Sequence, residues 1–184
     1  MNKARSLTLT LVLVWILIKM VFFFIDDADM GFDVGVMANL LFILIAIASS
    51  LWFKYKKVTL QESTFLDDLK DSMKEAGLYV IIVVVFIFLY LKVIDPELLQ
   101  SRVNEGVAAM EEILRDPAKL EETRNLRPDL KDMTPEELIA QYRSSQEQIL
   151  SPGVTTALSL FALMSVSVLY SIVTTLLFRK VLLK

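Results

Sequence analysis

The sequence predicts an all-α integral membrane protein: a four-helix bundle of spans with a helical extracytoplasmic insert between spans 3 and 4. Three observations support this. Of 184 residues, 55% are hydrophobic, against about 45–50% in a soluble domain. The apolar residues concentrate in four long runs, and a helix of about 20 apolar residues crosses the hydrocarbon core. Lys and Arg gather in alternate connections between the runs, as expected for a multi-pass chain.

The four spans are predicted at residues 7–25, 34–53, 78–94 and 154–178. Within one span only a helix satisfies its own backbone hydrogen bonds, so each run is predicted to be helical. The first run follows Lys3 and Arg5, as a signal peptide would. However, it ends in Asp26 and Asp27 rather than a small-residue cleavage site, which predicts an uncleaved span.

Basic residues predict the orientation. They occur before span 1, directly after span 2 and after span 4: Lys3, Arg5, Lys54, Lys56, Lys57, Arg179, Lys180 and Lys184. The other two connections, 26–33 and 95–152, are acidic; the second has thirteen acidic and seven basic residues. The positive-inside rule then predicts cytoplasmic N- and C-termini in a bacterial inner membrane, with the insert in the periplasm.

Missing residue types exclude several classes of chemistry. The chain has no cysteine and no histidine, which excludes disulfides, thiolate nucleophiles, His-based zinc or haem sites and the Ser-His-Asp triad. We therefore expect no enzyme, no cofactor and no metal site; an enzyme acting at the membrane surface is a distant third alternative. The net charge of −3 and the absence of a basic stripe also argue against nucleic-acid binding.

The connection after span 2 is predicted to form a cytoplasmic amphipathic helix at residues 59–76. Thr59 and Glu62 fit a capping box. Apolar residues then recur at helical spacing, with charged residues, including Asp68, placed on the opposite, water-facing side. The helix is interpreted either as a linker lying on the membrane or as a docking helix.

The periplasmic insert, 95–152, is predicted to be a helical hairpin between two Pro-marked junction hinges. Asp95 and Pro96 start its first helix, and Ser151 and Pro152 precede span 4. A short element is expected from Asp116, and a capping box starts the last helix; these residues are Asp116, Pro117, Thr134, Pro135 and Glu137. The insert either caps its own bundle or offers a surface to a partner.

From Phe65 to Lys184 the chain resembles a family of small bacterial membrane proteins known as domain of unknown function 4199. The resemblance rests on the order of generic segments: the amphipathic approach 65–77, the span ending Ile94-Asp95-Pro96-Glu97, the Met133–Glu137 helix start, Ser151-Pro152-Gly153 and the basic tail. It implies a similar four-span architecture in Gram-negative bacteria. It implies no activity, cofactor or catalytic residue.

Two polar residues inside the spans are candidate functional groups. Lys19 lies in span 1, and an ionisable group there is a functional candidate by default. Asn39 is expected at similar depth on span 2. Lys19 is therefore expected either to pair with Asn39 or with an aspartate of the first connection, or to bind an ion or solute. No acidic residue lies inside the spans as predicted, which argues against proton-driven transport.

Small residues at four-residue spacing predict close helix packing. They are Ala46 and Ser50 in span 2, and Ser167, Ser171 and Thr175 in span 4. Two interpretations stay open: packing within the bundle, or an interface with another subunit. The functional expectation is a non-enzymatic scaffold or accessory subunit, bound to an envelope protein or to copies of itself. The alternative is an oligomeric small-solute transporter or channel with Lys19 and Asn39 near its path.

Overall fold

The computed structural model describes residues 3–59, 62–117, 119–121 and 133–182, and secondary structure in them is entirely helical. The helices are α1 (Lys3–Phe24), α2 (Ala28–Tyr55), α3 (Phe65–Leu89), α4 (Glu97–Leu114), α5 (Pro135–Ile149) and α6 (Pro152–Leu177). Two of them, α3 and α6, continue into π-helical turns at Tyr90–Ile94 and Phe178–Leu182. The chain divides into two compact units, Met1–Ile87 with Leu158–Lys184, and Phe88–Ala157.

Four helices are long and apolar enough to cross a membrane, which confirms the predicted number of spans. The segments are Lys3–Phe24, Met30–Tyr55, Phe65–Ile94 and Pro152–Val181. Each extends beyond the predicted run at one end or both. The predicted runs stop at charged residues, whereas the helices continue through them because a helix propagates without needing every residue to be apolar.

The connection between α1 and α2 is much shorter than the acidic segment 26–33 had indicated. Helix α2 already begins at Ala28, capped by Asp27, whose carboxylate accepts a hydrogen bond from the Met30 amide at 3.0 Å. Asp26 has a φ of 56°, a left-handed conformation that Asp adopts more readily than most residues. The two helices therefore form a hairpin with a three-residue turn, and residues 28–33 of the predicted loop are the first six residues of α2.

The amphipathic segment predicted at 59–76 is, from Phe65 onward, the first part of α3. Thr64 caps that helix: its hydroxyl accepts from the Asp67 amide at 3.2 Å, and its own amide donates to the Asp67 carboxylate at 3.2 Å. The predicted pairing of Thr59 with Glu62 is present, with an amide-to-carboxylate distance of 3.0 Å. This pairing belongs to a turn that precedes α3 and does not cap the helix, since Ser63 and Thr64, which follow it, are not helical.

The core of the first unit is formed mainly by α1, α2 and α3. Buried apolar side chains from all three helices pack together, and Leu163 and Tyr170 of α6 lie against them. Trp15 of α1 meets Phe86 of α3 edge-to-face, with ring centroids 5.8 Å apart. Many large apolar side chains point outward, such as Phe161, which is 74% exposed. In a bilayer such a surface faces lipid tails rather than water.

The second unit contains a helical hairpin of α4 and α5. Its small core consists of Val103, Val107 and Leu114 from α4 with Leu138 from α5, as the helical spacing of these residues predicts. Tyr142 packs near Gly106, and Arg143 donates to Asn104 at 2.9 Å. Ile149, predicted on the same face, is half-exposed. The predicted element after Asp116 lies largely outside the described residues.

The four predicted junction residues lie at helix boundaries. Asp95 accepts a hydrogen bond from the Leu98 amide at 3.2 Å, so it caps α4 across Pro96. It also accepts from the Tyr90 hydroxyl at 3.2 Å. Ser151 donates its hydroxyl proton to the Gln148 carbonyl at 2.9 Å, and α6 begins at Pro152. Both junctions are thus held by local hydrogen bonds. The capping box of Thr134 and Glu137 at the start of α5 is also present.

Candidate functional site

One stripe of polar residues on the first part of α3 faces into the protein. Asp68, Ser72, Glu75 and Tyr79 follow one another at helical spacing, and each is at most 4% exposed. On the opposite face, Leu66 is 72% exposed. Asp67, Lys70 and Lys74 of this segment are exposed, as the sequence interpretation indicated, but Asp68, which it also placed towards water, is buried. The reason is that α2 and α6 bring cationic partners to the polar side, so the buried charge is compensated there.

Asp68 is the centre of a cluster that joins three helices and one connection; we call Lys54, Tyr55, Ser63, Asp68 and Arg179 the Asp68 cluster. Asp68 Oδ1 accepts from Lys54 Nζ at 2.9 Å and from the Ser63 hydroxyl at 2.8 Å. Its Oδ2 accepts from the Tyr55 hydroxyl and from the Arg179 guanidinium. Arg179 also donates to the Ser63 carbonyl at 3.0 Å. Each carboxylate oxygen therefore receives two donors.

The cluster is close to charge balance. Two cations, Lys54 and Arg179, surround Asp68, and Lys54 also contacts the half-exposed Asp71 at 2.7 Å. A buried ion pair stabilises a fold only where hydrogen bonds replace the lost solvation on both sides. Here two hydroxyls add to the two cations. With four donors engaged on its carboxylate, the Asp68 cluster joins α2, α3 and the π-helical continuation of α6.

Glu75 is a second buried carboxylate on the same face of α3, with far weaker compensation. Its Oε2 lies 3.2 Å from the hydroxyl of Thr8 on α1, whose single proton is shared with the Ala4 carbonyl at 3.1 Å. Its Oε1 lies 3.9 Å from Nε of Arg5, beyond hydrogen-bond distance, and the Arg5 side chain is 44% exposed. Glu75 itself is 4% exposed. The described residues thus offer this carboxylate one hydroxyl donor and one distant guanidinium.

These two carboxylates change an inference drawn from the sequence. The predicted third span began at residue 78 and so held no acid. The apolar helix that the structure provides runs from Phe65 to Ile94 and includes Asp68 and Glu75. The argument against proton-driven transport therefore covers residues 78–94 and not the first part of the helix, which carries both buried carboxylates.

Lys19 and Asn39 each have a partner on a neighbouring helix. Lys19 donates to the Gly31 carbonyl of α2 at 3.2 Å. Asn39, which is buried, accepts a hydrogen bond from the Tyr79 hydroxyl of α3 at 2.8 Å. Of the roles weighed from the sequence, helix pairing is the one these contacts favour, with backbone and tyrosine as partners rather than the two residues with each other.

A close contact between α1 and α2 was missed in the sequence. A Cβ added to Gly31 would lie 2.8 Å from Cβ of Phe22, and one added to Gly35 would lie 3.2 Å from Cδ of Lys19. Trp15 donates to the Gly35 carbonyl at 3.0 Å. The signal was available, because Gly31 and Gly35 form a small-xxx-small pair. We call Trp15, Lys19, Phe22, Gly31 and Gly35 the glycine contact.

The small residues singled out in spans 2 and 4 are buried within the chain itself. Ala46 and Ser50 are at most 7% exposed, and the Ser50 hydroxyl donates to the Asp71 carbonyl at 3.0 Å. Ser167, Ser171 and Thr175 are at most 3% exposed. Between the two interpretations left open, packing within the bundle and an interface with another subunit, this burial favours the first.

Metal-type clusters are not found in the described residues: they contain no group of three or more His, Cys, Asp or Glu with the spacing of a metal site. The polar interior of the first unit instead combines single carboxylates with hydroxyl groups.

Comparison with known proteins gives one match. No curated protein and no solved structure matches this chain. Residues 6–180 match the family described as protein of unknown function, DUF4199. Because the match covers nearly the whole chain, as the resemblance noted above had indicated, the protein belongs to the DUF4199 family.

Proposed function

We propose that this protein is a non-enzymatic accessory subunit or scaffold of the bacterial inner membrane that presents its α4–α5 hairpin to another envelope protein. One observation carries the proposal: the hairpin is a compact unit with its own apolar core, and its remaining surface is strongly acidic. Val103, Val107 and Leu138 are buried in the compact unit Phe88–Ala157, to which both helices of the hairpin belong.

The chemistry of the hairpin surface defines the partner it fits. Exposed carboxylates such as Glu105, Glu112 and Glu147 occur on both helices, and the half-exposed Ile113 and Ile149 lie among them. Such a surface is complementary to a basic protein surface with apolar side chains at its centre. The proposal therefore names a basic face of a membrane or envelope protein, or of a second copy of this chain, as the partner.

The orientation forms part of the proposal. The exposed lysines Lys56, Lys57 and Lys180 lie near the ends of α2 and α6, whereas the segment between α3 and α6 is acidic. By the positive-inside rule this charge distribution supports cytoplasmic termini and a periplasmic hairpin. Lys56 lies over the ring of Trp52, with 5.2 Å from Nζ to the centroid, an arrangement typical of residues at a membrane interface.

A solute path lined by Lys19 and Asn39 is less well supported. Both residues are engaged in the hydrogen bonds between helices described above, so a passing solute would first have to break helix contacts. Flux into liposomes that depends on Lys19, and is lost in Lys19→Leu, would revive this alternative.

Charge reversal on the hairpin tests the proposal. The tagged full-length protein is extracted in mild detergent, and the mass and identity of the complex are measured. We expect a stoichiometric complex that is lost in Glu112→Lys or Glu147→Lys, because each places a positive charge against a basic partner.

The matched control is Asp33→Lys, which reverses an exposed carboxylate near the start of α2. It should leave the complex intact. A complex that all three variants retain equally, or wild-type protein that purifies as a monomer, contradicts the proposal.

A further inference from the structure

The side of α3 opposite its buried polar stripe combines two lysines with apolar side chains. Lys70 and Lys74 are exposed, and farther along the helix Ile81 and Val85 are 56% and 55% exposed. At about 3.6 residues per turn, these four positions lie within a sector of about 60°; we call them the lysine face. Because Phe65–Ile94 is long and apolar enough to cross a membrane, the lysine face presents two cations followed by a surface that suits lipid tails.

Contacts between α2 and α3 establish the depth of the lysines. Asp71, the residue after Lys70, forms an ion pair with Lys54 at 2.7 Å between Oδ2 and Nζ. The carbonyl of Asp71 accepts from the Ser50 hydroxyl at 3.0 Å. Trp52 lies between Ser50 and Lys54 on α2 and is 55% exposed, so it is level with this part of α3. Exposed tryptophans concentrate at the headgroups of a bilayer, which places Lys70 at that level.

Lys74 can bring its ammonium group to the level of Lys70. Its Cα lies one turn, about 6 Å, nearer the hydrocarbon. Side chains on a helix lean towards its N-terminus, which in α3 is the end at the headgroups, and a flexible lysine stem extends in the same direction. Residues four apart on a helix have Cβ atoms about 5–6 Å apart. The two ammonium groups can therefore contact one phosphate group.

From this arrangement we propose that the lysine face binds an anionic phospholipid, with its phosphate between Lys70 and Lys74 and an acyl chain along Ile81 and Val85. Like charges four residues apart on a helix repel each other, and a phosphate between them relieves that repulsion. The headgroup of phosphatidylcholine brings its own positive charge to the pair, whereas that of phosphatidylglycerol does not. The lysine face therefore selects lipids of net negative charge, and this binding does not require the partner proposed for the hairpin.

Acidic neighbours are the competing explanation for how the two lysines are neutralised. Asp67 and Asp71 lie within one turn of Lys70 on the same helix, and both carboxylates have donors elsewhere. Asp67 Oδ2 accepts from the hydroxyl and the amide of Thr64 at 2.7 and 3.2 Å, and Asp71 is paired with Lys54. Both acids are thus engaged at the start of α3 and at α2, and an ion pair at an exposed position is worth little.

The test is the thermal unfolding midpoint of the full-length protein in a neutral detergent. Phosphatidylglycerol or phosphatidylcholine with the same acyl chains is titrated at constant ionic strength. A ligand that binds only the folded protein raises the midpoint as its site fills. We expect a saturable rise with phosphatidylglycerol that phosphatidylcholine does not reproduce. In the double variant Lys70→Gln with Lys74→Gln, the apparent affinity for phosphatidylglycerol should fall about tenfold or more, because both charges that attract the phosphate are removed.

Matched variants separate this site from the total charge of the protein. Lys92→Gln with Arg115→Gln removes two exposed positive charges elsewhere and should keep the wild-type affinity. Lys70→Arg with Lys74→Arg keeps both charges and should retain most of it. Each single glutamine variant should show an intermediate loss, which keeps the test decisive if the double variant fails to fold.

Four outcomes would overturn the proposal. They are an equal rise with both lipids, an unchanged affinity in the glutamine variants, an equal loss in the control pair, and a rise that inorganic phosphate alone reproduces. A protein that co-purifies with the wild type and is lost in the glutamine variants, without any preference between the lipids, would assign the lysine face to a protein partner instead.

Discussion

The two ends of the four-span unit are held by different kinds of contact. At one end, the Asp68 cluster joins α2, α3 and α6 through ion pairs and hydroxyl groups around one buried carboxylate. At the other end, the glycine contact joins α1 and α2 through close backbone approach, with two side chains donating to the carbonyls of Gly31 and Gly35. One end depends on charge, the other on the absence of side chains.

The two kinds of contact differ in how a substitution destabilises them. Removing a charge from the Asp68 cluster leaves the opposite charges buried and unpaired, a cost that includes desolvation as well as the lost attraction. Adding a methyl group at the glycine contact only forces two helices apart by a fraction of an ångström, and the backbone relaxes part of the strain. The first end should therefore be the more sensitive to a single substitution.

The largest effect is expected for Asp68→Asn. The substitution leaves Lys54 and Arg179 without their shared anion and should lower the free energy of unfolding by about 3–5 kcal/mol. Reversible unfolding in mixed micelles measures it. Asp71→Asn is the matched control, since that carboxylate also contacts Lys54 but is 46% exposed; its effect should stay below about 1 kcal/mol. Equal effects for the two would show that burial of Asp68 contributes nothing.

A smaller effect is expected for Gly31→Ala. The new Cβ would meet Cβ of Phe22 at 2.8 Å, a position that a rotamer change cannot relieve, so α1 and α2 must separate. We expect a loss of about 1–3 kcal/mol in the same unfolding assay. Gly77→Ala in α3 is the control, because nothing lies within 4 Å of its added Cβ. That variant should be neutral or up to about 1 kcal/mol more stable, and a loss there equal to that of Gly31→Ala would contradict the steric explanation.

The smallest effect is expected for Lys19→Met. The substitution keeps the length of the side chain and removes its hydrogen bond to the Gly31 carbonyl, while the cost of holding a charge in the span also disappears. The two changes oppose each other, so stability should shift by less than about 1 kcal/mol. A loss comparable to that of Asp68→Asn would mean that the glycine contact depends on charge as well, and the contrast between the two ends would be lost.

Local signals predicted much of this fold. Apolar runs of the right length predicted the number of spans, and proline and threonine predicted the start of α5, where Thr134 and Glu137 form their reciprocal cap. These features depend on residues a few positions apart. The span limits were less well predicted. The apolar runs end at charged residues, whereas the helices include such residues, for example Asp68.

The candidate site was much harder to predict, because its residues depend on partners that are distant in the sequence. Asp68 occurs in a segment whose pattern fits a helix on the membrane surface, and one of the two cations that compensate its burial, Arg179, lies 111 residues away. Glu75 likewise depends on Thr8, 67 residues away. Gly31 and Gly35 were visible as a pair, but four nearby aspartates favoured a loop, and the short turn at Asp26 was not foreseen.

The separation between Asp68 and Arg179 has a consequence for biosynthesis. The glycine contact is made within a hairpin, so Lys19 finds its carbonyl as soon as α2 has left the ribosome. The Asp68 carboxylate, by contrast, is translated 111 residues before Arg179. Until then its only cationic partner among the members of the cluster is Lys54. A chain that ends before the last helix therefore keeps the Asp68 carboxylate with one of its two cationic partners, so α2 and α3 can pair at this point before α6 is added.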